Sequence, residues 1–272
     1  MPNDTAARID THAHVFHPRL PMAPTRRHAP DYEAGLPDYL DLLDTHGLTH
    51  GVLVQPSFLG TDNHYVVESI ARAPHRLRGV AILDETARDA DVDALHRSGV
   101  VGSRLNLFGL PFPDLSQPAW RRLLDRINHH AWHVELHVPA SRLHELMEPL
   151  LAAGCRIVVD HFGRPDAQQG AHDPGFQRLL EHAATGQVWV KLSAPYRSWR
   201  ESKPPAAATE AARALLTAFG PDRLLWGSDW PHTEHHDVAR FTDSLGWLDG
   251  WVEKPDDRAR ILGRSAFELF QF

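Results

Sequence analysis

The sequence predicts a single-domain (β/α)8 TIM barrel spanning residues 1–272, and three observations carry that reading. Eight apolar runs bounded by turn residues recur at roughly even intervals, stretches with helical periodicity fill the gaps, and no linker or low-complexity segment divides the chain. Strands that alternate with helices make a parallel sheet, and eight of them in a chain of this length close most simply on themselves.

The first run, near residues 8–16, contains Ile9-Asp10-Thr11-His12-Ala13-His14-Val15-Phe16. Side chains alternate faces along a strand, so His12 and His14 point the same way and Thr11, Ala13 and Val15 the other. Pro18 to Pro37 follows as a long loop able to cover one end of the barrel. Further strands are expected near 51–56, 78–83, 102–107, 133–138, 155–162, 188–193 and 223–229. Helices are expected over 35–46, 62–73, 90–98, 117–130, 141–153, 174–185 and 205–219, with Leu143, Leu146, Met147 and Leu150 showing the three-and-four spacing of one buried face. Gly47, Gly99, Gly154, Gly186 and Gly220 stand where helices should end. Trp251 to Phe272 reads as a closing helix with Ile261, Leu262, Phe267 and Leu269 on its apolar side.

Hydrophobic residues make up 42% of the chain and charged residues 23%, which fits a globular protein and not a disordered or fibrous one. A formal charge of −7 speaks against nucleic-acid binding, which needs a basic face. No apolar run approaches the roughly 20 residues of a membrane span. Met1-Pro2-Asn3-Asp4-Thr5 lacks the pattern of a secretory signal, so the expected location is the cytoplasm. The one cysteine, Cys155, excludes an internal disulfide, and its neighbours Ile157-Val158-Val159 mark it as a buried residue and not a nucleophile. Histidine, at 20 copies, is the unusual residue, although His28, His46, His75, His129 and His172 read as surface positions.

Strand parity separates lumen from shell. In Trp132-His133-Val134-Glu135-Leu136-His137-Val138 the even positions are apolar, so His133, Glu135 and His137 project inward, with His137 nearest the C-terminal end, where sites of this fold sit. The same reading turns Gln55 and Ser57 inward on strand two, Arg104 and Asn106 on strand four, and Lys191 and Ser193 on strand seven. On strand six His161 shares the parity of Ile157 and Val159, while Asp160 faces away or opens the loop. Strand eight delivers Asp229 just as it gives out. Singly, each has a plainer reading: His12 and His14 as hydrogen-bonded core residues, Asp229 as a turn aspartate, Arg197 as a loop cation. Together His12, His14, His161 and Asp229, with His137 beside them, make an imidazole cluster with a carboxylate. Such a set suits polarising a carbonyl and activating a water, directly or through a divalent ion.

Five segments in order carry a family resemblance that runs almost end to end: Asp10 to Phe16, Val54 to Ser57 with Gly60 to Asn63, Gly102 to Asn106, Asp160 to Asp166, and Trp226 to His232. On these the chain resembles the lactone-hydrolase branch of the amidohydrolase superfamily. The resemblance implies hydrolysis of a lactone or similar cyclic ester from aromatic-acid or sugar-acid catabolism, at the C-terminal ends of the strands. It implies that His12, His14 and His161 surround the carbonyl oxygen, that Asp229 takes a proton from the attacking water, and that Arg104 and Arg197 hold a substrate carboxylate. Arginine suits that last role because its planar fork meets a carboxylate with two hydrogen bonds.

His137, Gln55, Ser57 and Asn106 complete the expected substrate contacts. The expected cofactor is none, or one zinc or manganese ion held by His12, His14, His161 and Asp229. Strand four turns Arg104 and Asn106 inward, with no lysine there to bridge a second ion. His137 replaces the tyrosine of the branch's pyrone lactonases, and Leu107-Phe108-Gly109-Leu110-Pro111 lacks their basic residues, so a monocarboxylate or sugar-like lactone fits at least as well as a dicarboxylate. Two alternatives stay open: a metal-dependent decarboxylase of the same superfamily, and a non-catalytic binder of organic acids. The expected partner is a small carboxylate or lactone, with no nucleic acid or membrane, in a monomer or homodimer.

Overall fold

The computed structural model describes residues 7–200 and 206–272. Eight parallel strands follow one another around the sheet in chain order: β1 Ile9–Ala13, β2 His50–Val54, β3 Leu77–Ala81, β4 Val100–Asn106, β5 His133–His137, β6 Arg156–Val159, β7 Val188–Leu192 and β8 Leu224–Trp226. The ring closes between the two ends of the chain. His14 N donates to Trp230 O at 2.7 Å, Asp229 N to His12 O at 2.8 Å, and the Thr11 hydroxyl to Trp226 O at 2.8 Å. Gly227 permits this approach, because a Cβ there would lie 2.7 Å from the Cβ of His12.

Helices α1 Leu36–Thr45, α2 His64–Arg72, α3 Asp89–Arg97, α4 Pro118–His129, α5 Ala140–Ala152, α6 Pro174–Glu181 and α7 Ala206–Phe219 lie where the apolar spacing placed them, within a few residues. Pro205, the expected start of α7, lies outside the described residues. The five glycines expected at helix ends all have positive φ, from 63° at Gly47 to 91° at Gly99, a conformation that costs a residue without a side chain little. One helix, α8 Phe241–Trp251, was not anticipated, although Phe241, Leu245, Leu248 and Trp251 repeat at four and three. The closing helix is segmented into α9 Pro255–Ala259, one wide turn over 260–264, and α10 Ser265–Leu269. Among the described residues no helix is long and apolar enough to cross a membrane.

Two apolar layers result. Val134, Leu136, Val159, Val190 and Leu192 face outward onto Leu143, Met147, Leu150 and Leu215, with Cys155 buried beside them. Ile9, Val52, Val80, Val158, Trp189 and Leu225 fill the lower lumen, which Leu269 and Phe270 plug from below. Each such side chain contributes roughly 1.5–3 kcal/mol on burial.

The structure corrects the parity of β6. Glu135 pairs in register with Val158, and Val158 belongs to the lumen cluster, so Val158 and Asp160 face inward while Ile157 and Val159 face the helices. His161 reaches the lumen for another reason: its φ is +50°, which breaks the alternation and swings the side chain in. Strands β6 and β8 are correspondingly shorter than expected, because left-handed residues, His161 in one case and Asp229 (φ +59°) in the other, end the ladder.

Candidate active site

The upper lumen is built from side chains delivered by strand ends. Asp229 is fully buried, and its Oδ2 accepts hydrogen bonds from the Tyr196 hydroxyl and from Arg197 Nε, each at 2.7 Å. Its other oxygen, Oδ1, has no hydrogen-bond partner and faces three imidazoles, 3.6 Å from His12 Nε2, 3.8 Å from His14 Nε2 and 3.8 Å from His161 Nε2. His12 Nε2 and His14 Nε2 are themselves 3.2 Å apart. Four residues spread over more than two hundred positions of the chain thus converge on one point.

Each imidazole is oriented from behind. His14 Nδ1 bonds Val54 O at 2.8 Å, His161 Nδ1 bonds the Ser193 hydroxyl at 2.9 Å, and His12 Nδ1 meets Lys191 Nζ at 2.9 Å. Burial holds His12 and His161 well below the ordinary histidine range, and lowers His14, so all three are neutral near pH 7. Burial works against ionisation of Asp229, but the Arg197 guanidinium outweighs it and keeps the carboxyl well below the usual carboxylate range. Asp10, behind the strand, accepts from His12 N, Ser228 N, the Ser228 hydroxyl and the Tyr39 hydroxyl, and so ties β1 to the end of β8. Burial raises its pKa to about 6.

Beneath the imidazoles lies a closed set of charges. Arg104 donates through Nε and Nη2 to Asp160 Oδ2 at 3.0 and 2.7 Å and lies 3.2 Å from Glu135, while Lys191 bonds Glu135 and stands 3.3 Å from Asp160 Oδ1. Burial, and next the nearby Asp160 charge, push Glu135 up to about 7. The inward aim expected for Arg104, Glu135 and Lys191 holds. The aim expected for Asp160 does not: it faces inward as a partner of two cations.

Around the mouth, His137 accepts from Arg164 Nη1 at 3.3 Å through Nε2 and bonds Asn106 Oδ1 at 3.1 Å through Nδ1. Arg27, from the loop after β1, donates to the same Asn106 oxygen and to Phe108 O, both at 2.8 Å. Ser57 lies on the wall of the cleft with His14, Arg104, His137 and Arg197. Gln55 does not; its amide nitrogen is taken up by Gly60 O and Asp62 O, where it shapes the β2–α2 loop. His28, expected on the surface, is half-buried on the same wall and pairs with Glu234 at 3.0 Å. The cleft over the imidazoles is narrow, about 40 Å³, and is flanked by cavities of about 810 and 470 Å³ that share Arg197 and Arg104 with it, respectively.

Sequence reasoning left Tyr196, Arg164, Arg27 and Asp10 without a role. Asp10 and Arg164 lie inside segments that carried the resemblance, but Arg27 and Tyr196 sit on loops, where no periodicity announces direction.

Comparison with known proteins gives the family. The chain is 34% identical to a 2-pyrone-4,6-dicarboxylate hydrolase of Comamonas testosteroni over 84% of its length and 77% of the relative's. It is 32% identical to a 4-sulfomuconolactone hydrolase of Rhizobium radiobacter over 86% and 79%. A crystal structure from Acinetobacter baumannii, described as a probable 2-pyrone-4,6-dicarboxylic acid hydrolase with citric acid bound, superposes with a TM-score of 0.92 at 38% identity, covering 97% of this chain and 99% of that one. The amidohydrolase family pattern matches residues 9–272, and the chain belongs to that family.

Proposed function

We propose that this protein hydrolyses a lactone carrying at least one carboxylate. The observation that carries the reading is Asp229: one oxygen is held by Tyr196 and Arg197, and the other is left bare, buried, and ringed by three neutral imidazole nitrogens. A water bonded to Oδ1 finds its base there, and an N–H from the imidazole cluster meets the carbonyl oxygen as negative charge develops on it. Enclosure strengthens both interactions, because little solvent competes. After attack on the carbonyl carbon, Asp229 carries the water's proton and the ring oxygen must leave as an alcohol, so the same carboxyl can return the proton to it.

Substrate charge is supported by the rim. Arg27 and Arg197 line the cleft, with Arg104 at its floor already paired to Asp160, and Arg164 stands beside it against His137. Burial together with the Arg197 charge lowers Arg164 to about 9, a strain that an anion close by relieves. Named relatives acting on pyrone-dicarboxylate and sulfomuconolactone agree with an acidic cyclic ester. His137, Asn106 and Ser57 line the same cleft, which supports their contact with the remainder of the substrate.

By spacing alone, the donor set also fits a divalent ion. His12, His14 and Asp229 offer three ligand atoms within 4.8 Å of one another, and the Nε2 of His161 lies unpartnered beside them. Tetrahedral zinc with bonds near 2.0–2.1 Å spaces its ligand atoms about 3.3 Å apart, close to the separations found here. When bound, such an ion supplies polarisation of the carbonyl or a more acidic water.

The test is acid release, followed with a pH indicator, from a panel of aldonolactones, muconolactones and pyrone acids, with and without chelator. Turnover of an acidic lactone, lost in Asp229→Asn, is the expected result. Binding of carboxylates without acid release from any lactone, or release of carbon dioxide instead, overturns it.

A further inference from the structure

Lys191 is a buried ammonium, held by ion pairs to Glu135 and Asp160, that the proposed reaction does not use. It has three N–H donors and no acceptor. Its three neighbours are Glu135 Oε2, Asp160 Oδ1 at 3.3 Å and His12 Nδ1 at 2.9 Å. A donor facing His12 Nδ1 requires that nitrogen to be bare, so in a neutral ring the proton sits on Nε2. The far side agrees independently. His14 Nδ1 faces the Val54 carbonyl, which can only accept, so His14 Nδ1 carries its proton and His14 Nε2 is bare, ready to accept from His12 Nε2 at 3.2 Å.

We propose that Lys191 is a positioning residue that locks His12 in the Nε2–H form, making it a hydrogen-bond donor in the upper lumen and denying its Nε2 to a metal ion. A metal needs the bare nitrogen. The alternative state is built into the same neighbourhood: with the proton on Nδ1, His12 can donate to Asp160 Oδ1 at 3.3 Å or to Glu135 Oε1 at 3.5 Å, and both oxygens lack a hydrogen-bond partner. A carboxylate behind a histidine favours ligation; an ammonium in front of those carboxylates opposes it. Position and tautomer therefore disagree at this centre, and Lys191 decides between them. The inference rests on the site reading above only in naming His12 as the group that faces the substrate.

The test, run at about pH 8 where Glu135 is largely ionised, compares the parent with Lys191→Met/Glu135→Gln, which removes one buried charge of each sign. Long-range nitrogen–proton NMR of the imidazoles, with His12 assigned by its loss in His12→Asn, is expected to show the Nε2–H form in the parent and the Nδ1–H form in the double variant. Zinc titration against a chromophoric chelator is expected to show about tenfold tighter binding by the double variant. A parent His12 protonated at Nδ1 overturns the proposal, as does a folded double variant that binds zinc no more tightly. The parent spectrum alone decides the matter if the double variant does not fold. A protein that shows the tautomer and zinc shifts yet opens no lactone retains this inference and loses the functional reading; lactonase activity with His12 protonated at Nδ1 does the reverse.

Discussion

The two ends of one lumen obey different rules. At the bottom, Ile9, Val52, Val80, Val158, Trp189 and Leu225 interdigitate over a plug of Leu269 and Phe270, on strands that keep their ladders. At the top, His12, His14, His161 and Asp229 stand where ladders fail, two of them on residues with positive φ. Left-handed backbone at a non-glycine residue costs of order 1–3 kcal/mol and persists only where the surroundings enforce it. The lower lumen contributes stability, and the upper one draws on it to hold groups in positions that a regular strand would not provide.

Substitutions at the two levels should separate cleanly. Asp229→Asn should lower kcat about 10²–10⁴-fold in a protein that still folds cooperatively, with some loss of melting temperature from the broken Arg197 pair, since the amide keeps the shape and loses the base. Equal loss of fold and activity would mean that the carboxylate is structural. Leu225→Ala, in the lower lumen, should cost about 2–5 kcal/mol in denaturant unfolding and leave kcat nearly intact. A collapse of kcat there would show that the two ends are coupled. Tyr196→Phe removes one of the two donors to Asp229 Oδ2 and should cost about 1.5–3 kcal/mol in kcat/KM, because the remaining partner is Arg197 alone.

Stability against pH gives a subtler separation. Burial lowers His12, His133, His137 and His161 below the ordinary histidine value, so the unfolded chain binds protons there that the folded one does not. Their contribution is complete above about pH 6.5 and is lost as pH falls below it, at up to about 1.4 kcal/mol per pH unit for each extra proton bound by the unfolded state. Asp10 and Glu135, raised to about 6 and about 7, act in the opposite sense over the same range, but the lowered histidines outnumber them, so melting temperatures should drop from about pH 7.5 to pH 5, well before the depressed Asp229 titrates. The smallest effect is expected at the exposed rim, where Arg27→Ala should raise KM by a factor of a few with kcat unchanged, measured on whichever acidic lactone is turned over.

Much of this was legible in the sequence, and the residues show why. The β5 run could be read directly, since Val134, Leu136 and Val138 assign one face and leave His133, Glu135 and His137 for the other. Helix ends were announced by glycines that all proved left-handed. The inward aim of Asp160 is not legible from alternation, because the apolar character of Ile157 and Val159 fits the helix-facing layer as well as the lumen. Gln55 was placed by the same count, one residue beyond the end of β2, and its side chain turns instead to the loop.

What the chain determines by itself is local: eight alternations of strand and helix, their capping residues, and which residue types reach the strand ends, because period and turn chemistry act over a few neighbours. What only the folded barrel decides is the meeting of those ends. Lys191 touches His12 across 179 positions, and Ser228 secures Asp10 across 218. Contacts of that kind exist only once the ring has closed, when the register between strands, and not the spacing along one of them, sets which atoms face each other.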